Sequence, residues 1–315
     1  MPSSVLLSTA RGKDVNARSL ITYLVGSVLT PIAAGTATPT RYRCARTELH
    51  CGNGGGVDVY LAVHNQHRST FLEQSAYLYG AMLEVCPQLS ISIIPVIGSA
   101  GEAAAAARGE STPPPSSSSS APSPPPPHGD GGGDGGLSVY EDVAALLREW
   151  RLVDSGALRE SDGFRPYYGY VAVGGTFDHF HSGHKVLLST AALHAMQKLR
   201  VGVTDASLLT KKKFAESLQP MDLRMQHVAQ FLRKVRPDLD LEVAPISEMS
   251  GGTKDIAEVE ALVVSPETAS ALGVINDMRA ANGGMAPMVG IAIPQVQSSS
   301  GESISSTALR ERLRQ

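Results

Sequence analysis

The sequence predicts an α/β protein: a doubly wound parallel sheet in the C-terminal half, a smaller α/β region before it, and a disordered linker between them. Three observations carry this. From residue 168 onward, short Val- and Ile-rich segments alternate with segments of helical period, the pattern of a parallel sheet covered on both faces. A single β-α-β pattern occupies roughly 57–97. Residues 102–137, which include "STPPPSSSSSAPSPPPPHGDGGGDGG", have almost no large apolar side chain. Ordering them would cost backbone entropy with nothing to bury. The expected organisation is therefore an N-terminal region over 1–101, a low-complexity linker over 102–137, and the main domain with a leading helix over 138–315.

In chain order, "VDVYLAVH" (57–64) and "LSISIIPVI" (89–97) read as strands bounded by turn residues. The stretch between them places Phe71, Ala76, Leu78 and Met82 at helical spacing. His64 and His67 lie in a polar stretch and are expected to be solvated. After the linker, "SVYEDVAALLREW" (138–150) reads as an amphipathic helix. Strands follow at 168–173, 199–204, 239–246, 261–265 and 288–293. Helices fall between them at 183–197, 221–235 and 268–282, with a closing helix over 306–315. In the second of these, Met225, Val228, Leu232 and Val235 share one face. Crossovers of this kind are right-handed, and ligands bind at the carboxyl ends of such strands.

Over 315 residues the formal net charge is -3 and the pI near 6.3. There is no global basic footprint, so no nucleic-acid partner is expected, and any anion site must be local. Cys44, Cys51 and Cys86 are sparse and lack CxxC spacing, as reduced intracellular thiols would be. The apolar stretch 20–35 is too short and too broken to span a bilayer. Residues 1–46 carry six Lys or Arg and one acid, Asp14. That composition suits a mitochondrial transit segment or a disordered N-terminus of a cytoplasmic protein. The oligomeric state is left open.

The informative stretch is "GGTFDHFHSGHK" (174–185), directly after the strand "YGYVAV". Gly174 and Gly175 permit unusual backbone angles and close approach of a ligand to the main chain. A helix beginning near His184 would point free amides and a positive dipole end into that turn, a ready phosphate site. His181 and His184, three apart, can face the same side, and Thr176 adds a hydroxyl. A lone histidine in such a turn would more often be solvated or structural. A metal pair lacks a third ligand at suitable spacing. His179 is expected to face solvent.

"GTFDHFHSGH" resembles the (H/T)xGH signature of the nucleotidylyltransferase superfamily. With "GVTDASLLTKKKFAESLQP", "LVVSPET" and "ISSTALR" in the same order, residues 165–315 resemble the eukaryotic-type phosphopantetheine adenylyltransferases. The resemblance implies a Rossmann-like nucleotidylyltransferase fold and a direct reaction. In it, the phosphate of 4'-phosphopantetheine attacks the α-phosphorus of ATP, releasing pyrophosphate and forming dephospho-CoA without a covalent enzyme intermediate. It further implies that His184 donates to the α-phosphate, that His181 faces the β- and γ-phosphates, and that Thr176 and the Phe177 amide meet the nucleophilic phosphate and the α-phosphate. The same family places Ser265, Glu267 and Thr268 beside the nucleotide, although Pro266 stands where an acidic residue is expected. It places Ser305, Ser306 and Thr307 on the triphosphate with Arg310 as counter-charge; those hydroxyls are also ordinary helix-capping types. Of the lysine run, Lys212 is the expected phosphate clamp, with Lys211 the alternative in register. A lysine's mobile point charge can follow a migrating phosphoryl group. Arg224 matches a family arginine on the substrate side, and a helix-surface ion pair explains it equally well. Mg²⁺ is expected with ATP, held by phosphates and water. Some relatives carry a following kinase domain; with no G-x-x-x-x-G-K-[ST] loop, that activity is expected to be absent.

Three alternatives stay open. A cytidylyltransferase would carry an RTxGIS(T/S)T-like ending, where this chain has "SGESISSTALR". A nicotinamide-mononucleotide adenylyltransferase would lack the "KKKF…LQP" segment. An inactive nucleotide-binding regulator would be expected to lose His181, His184 and Lys212 first.

Overall fold

The computed structural model describes residues 4–9, 57–62, 67–85, 90–98, 135–140, 147, 150–160, 162–164, 167–209 and 217–294. They fall into two compact units, 1–65 with 85–152 and 66–84 with 153–315. The closing helix expected over 306–315 and nearly all of the 102–137 linker lie outside the described residues.

The first unit is a five-stranded sheet of β1 (Ser4–Thr9), β2 (Val57–Ala62), β3 (Ile91–Gly98), β4 (Gly135–Tyr140) and β5 (Trp150–Leu152), ordered β4-β1-β2-β3-β5. The three inner strands run parallel and the two outer ones antiparallel to their neighbours. As expected for an interior parallel strand, β2 is buried on both faces, at Val59 and Leu61 on one and Tyr60 and Ala62 on the other. The helix expected over 138–150 is corrected at its two ends; residues 141–146, 148 and 149 lie outside the described residues. Residues 138–140 belong to β4, where Leu137 and Val139 pair opposite Leu7 and Val5 of β1, and Trp150 belongs to β5. The pairing partner stands more than 120 residues upstream, so local spacing carried no trace of it. Strand β1 was not foreseen at all.

The second unit begins with α1 (Arg68–Val85) and α2 (Ser155–Glu160) and then forms the second sheet. Its elements are β6 (Tyr168–Gly175), α3 (Ser182–His194), β7 (Ala195–Thr204), α4 (Met221–Val235), β8 (Asp240–Ile246), β9 (Ala261–Val264), α5 (Ala269–Ala281) and β10 (Val289–Ala292). The order β10-β9-β6-β7-β8 is all parallel. Counted from β6, this is the 3-2-1-4-5 order of a doubly wound sheet. Helix α3 is shorter than expected, since Ala195–Gln197 already belong to β7.

The two faces are covered differently. On one, Val171, Val173, Val201, Val203 and Val263 pack with Leu188 of α3 and Val228, Phe231 and Leu232 of α4. On the other, Tyr170, Ala172, Leu262 and Val264 pack against Ile275 of α5. The chain therefore leaves β6 toward one face and β9 toward the other, so the neighbouring carboxyl ends of β6 and β9 form the switch point where such sheets bind ligands. The crossover from β8 to β9 is a run of turns with Gly251 and Gly252 at φ of 55° and 80°. In place of a helix, a buried arginine holds it: Arg279 of α5 donates to the carbonyls of Thr253, Ile256, Ala257 and Val259, and to Ala286 beyond. Arg236 does the same beside the start of β7, bonding the carbonyls of Ala192 and Ala195 and the Asp238 carboxylate. Buried guanidinium groups are tolerable only when their donors are satisfied in this way.

Candidate active site

A cavity of about 620 Å³ opens at the switch point. One wall is the end of β6 with the start of α3: Gly174, Gly175, Thr176, His181, Gly183 and His184. The opposite wall is the β9-to-α5 turn with Ser265, Glu267 and Thr268. A third comes from Arg200 and Thr204 of β7 and from Ile246, Glu248, Ser250 and Thr253 around the end of β8.

His181 is the N-cap of α3, in extended conformation at φ −123° and ψ 176°. Its Nδ1 accepts from the Gly183 amide at 3.2 Å, and His184 Nδ1 accepts from the His181 amide at 3.5 Å. The pair thus forms a capping box in which imidazoles replace the usual hydroxyl and carboxylate. Because both Nδ1 atoms accept, each ring carries its proton on Nε2. The rings stack at 3.8 Å between centroids, and the aromatic rings of Phe177 and Phe180 lie 5.3 and 5.9 Å from His184. Burial pushes the His181 imidazole down to about 4, with the Lys185 charge adding to the shift and Asp178 opposing it. A neutral donor with fixed tautomer, beside the first amides of a helix, is suited to bind phosphate oxygens.

Burial and the Arg68 charge also lower His194 to about 4. Unfolded, both imidazoles titrate near 6.5, so between pH 6.5 and 4 the unfolded chain binds more protons. Stability is complete above 6.5 and falls as the pH drops through this window, by at most ~1.4 kcal/mol per pH unit for each histidine. Urea unfolding at pH 7, 6 and 5 checks this; a midpoint unchanged down to pH 5 would mean that neither ring is held neutral.

The glycines act differently from expectation. Neither Gly174 nor Gly175 has a positive φ; the left-handed residues of the turn are Phe177 at 51° and His179 at 45°. Gly175 is glycine because a Cβ would stand 3.1 Å from the Phe177 ring. A Cβ at Gly174 would meet no protein atom closer than 3.8 Å, so that position is open on the cavity side. Phe177 itself is fully buried in the core and does not line the cavity.

Two further expectations are corrected. Arg224 is 2% exposed and does not line the cavity. Its Nη1 donates to the carbonyls of Thr176 and Thr204 at 2.7 and 3.0 Å, and its Nε to Gln219 at 3.0 Å. It holds the ends of β6 and β7 in place and is neither a surface ion pair nor a cavity-facing arginine. His179 is not a solvated side chain: its Nε2 donates to the Ser217 carbonyl at 2.9 Å and its amide to Gln219 Oε1 at 2.8 Å. Thr176, His181, His184, Ser265, Glu267 and Thr268 are brought together around one cavity. Lys211, Lys212, Ser305, Ser306, Thr307 and Arg310 lie outside the described residues. Arg200 was missed; its register opposite Ala172 of β6 puts it on the cavity face, where Nε bonds the Gly251 carbonyl. Only the pairing of β6 with β7 could have revealed it.

The sheet order and the histidine-capped helix at its switch point define a doubly wound α/β domain with a cavity at the carboxyl ends of its strands. Residues 172–312 match the family described as cytidylyltransferase-like. The chain is 40% identical over 147 residues to a phosphopantetheine adenylyltransferase of Saccharomyces cerevisiae, covering 45% of this chain and 48% of that one. It is 35% identical over 140 residues to the phosphopantetheine adenylyltransferase of Methanopyrus kandleri, covering 44% of this chain and 87% of that one. For the enzyme of that name from Pyrococcus horikoshii the identity is 34%, with 44% and 87% covered. The chain belongs to the phosphopantetheine adenylyltransferase family. It spans about half the length of the yeast relative, 48%.

Proposed function

We propose that the protein transfers AMP from ATP to 4'-phosphopantetheine, giving dephospho-CoA and pyrophosphate in coenzyme A biosynthesis. The observation that carries this is the His181–His184 pair, joined in a capping box at the start of α3 and lining one cavity with Thr176 at the switch point of the sheet. In the proposed step, a phosphate oxygen of phosphopantetheine forms a bond to the α-phosphorus of ATP as the bond to pyrophosphate breaks. Catalysis is then positioning and charge stabilisation. His184 donates to the α-phosphate as charge builds, His181 donates to the β- and γ-phosphates, and Thr176 orients the incoming phosphate. Lys212, with Lys211 as the alternative, clamps the phosphates. Ser265, Glu267 and Thr268 hold the nucleotide from the β9 side, and Ser305, Ser306, Thr307 and Arg310 grip the triphosphate. Magnesium enters as MgATP, liganded by the nucleotide's own phosphates and water.

No helix among the described residues is long and apolar enough to cross a membrane. We place the protein in the cytoplasm, with a mitochondrial location through an N-terminal transit segment as the alternative. Pyrophosphate release by the full chain, assayed with ATP or CTP against phosphopantetheine and a set of alcohol phosphates, tests the assignment. ATP with phosphopantetheine is expected to be the preferred pair by a wide margin. A preference for CTP with an alcohol phosphate would overturn it.

A further inference from the structure

The turn between Thr176 and His181 holds two non-glycine residues, Phe177 and His179, in the left-handed region. Each costs about 1 kcal/mol or more, and such strain persists only where surroundings over-determine the backbone. The surroundings here converge on one residue outside the motif. Gln219 donates its amide to Asp178 Oδ1 at 2.9 Å, accepts the His179 amide on Oε1 at 2.8 Å, and gives its carbonyl to Arg224 Nε at 3.0 Å. Two residues earlier, the Ser217 carbonyl accepts from His179 Nε2. Asp178 is fully buried. Gln219 is followed by Pro220, the N-cap of α4, so the turn is tied to the start of a rigid helix. Gln219 also ends the stretch of sequence that carries Lys211 and Lys212.

We propose that Asp178, His179 and Gln219 form a positioning clasp that forces the strained turn and thereby aims Thr176 and the His181–His184 pair for adenylyl transfer. This rests on the function proposed above. His181 lies two residues beyond His179, so relaxing either left-handed residue swings the cap of α3 and both imidazoles with it. The clasp touches no reacting atom; it acts through the histidines and Thr176.

The test compares Gln219→Ala, Asp178→Ala and the conservative Asp178→Asn, which keeps an oxygen acceptor for the Gln219 amide, all in the full chain. Misplacement of reacting groups by about 1 Å costs on the order of 100-fold. Gln219→Ala and Asp178→Ala are therefore expected to lower kcat per folded molecule by about 30-fold or more, with KM for ATP changed far less. Asp178→Asn is expected to stay within about fivefold of wild type, since it preserves the acceptor. Should Asp178→Ala fail to fold, Gln219→Ala carries the comparison. Independently of any substrate, the imidazole NMR signals of His181 and His184 are expected to move in Gln219→Ala and to remain near wild type in Asp178→Asn. Unchanged imidazole signals in Gln219→Ala would overturn the clasp, as would an unchanged kcat in an active enzyme. A wild-type chain without transferase activity would instead overturn the assigned reaction, while the imidazole signals would still decide the clasp.

Discussion

His184→Ala is expected to lower kcat for adenylyl transfer by about 100-fold or more, the usual loss when a donor to developing charge is removed. The change deletes a ring that stacks on His181 and whose Nδ1 accepts the N-cap amide. Loss of that half of the capping box costs about 1 kcal/mol, which lowers Tm by only a few degrees in a domain of this size. The two effects separate cleanly. A folded variant with intact nucleotide binding and collapsed kcat supports transition-state donation. A folded variant with wild-type kcat removes His184 from the chemistry and leaves it as a helix cap.

Arg279→Met carries the largest expected effect on stability. The arginine is fully buried, and five main-chain carbonyls on the 253–259 crossover and at Ala286 lose a donor together. Methionine fills part of the volume but donates nothing. With each buried acceptor left unpaired costing on the order of 1 kcal/mol or more, the second unit is expected to lose about 3–5 kcal/mol. Thr253 lines the cavity, so weaker nucleotide or acceptor binding is expected alongside. Urea unfolding measures the loss. A change below about 1 kcal/mol would mean that the crossover is held by its other ties, such as Asn282 bonding Lys254 and Asp255.

What was legible in the sequence was what neighbours along the chain decide. Helix α4 was read correctly from end to end because Val228, Leu232 and Val235 repeat at helical spacing and are all buried. The helix start expected at 138 fails for the opposite reason: Val139 is a strand residue because β1 pairs with it, and that pairing is long-range. The glycines were noticed correctly, but not because they adopt unusual backbone angles. Gly175 makes room for the Phe177 ring, a contact that only the turn's left-handed backbone creates.

The sequence by itself determined the histidine-capped start of α3, because an N-cap and its third helical residue meet within a single turn whatever the rest of the chain does. It also determined the parallel α/β class, through the alternation of apolar strands with helices. Only the tertiary structure decided what holds that site in place. Strand register brings Arg200 beside Ala172, and folding lays the carbonyls of Thr176, Thr204 and Gln219 around Arg224. Folding also turns His179 from an apparent solvent-facing side chain into a ligand of Ser217. Hydrogen bonds between residues 20 to 48 apart exist only once the sheet has paired.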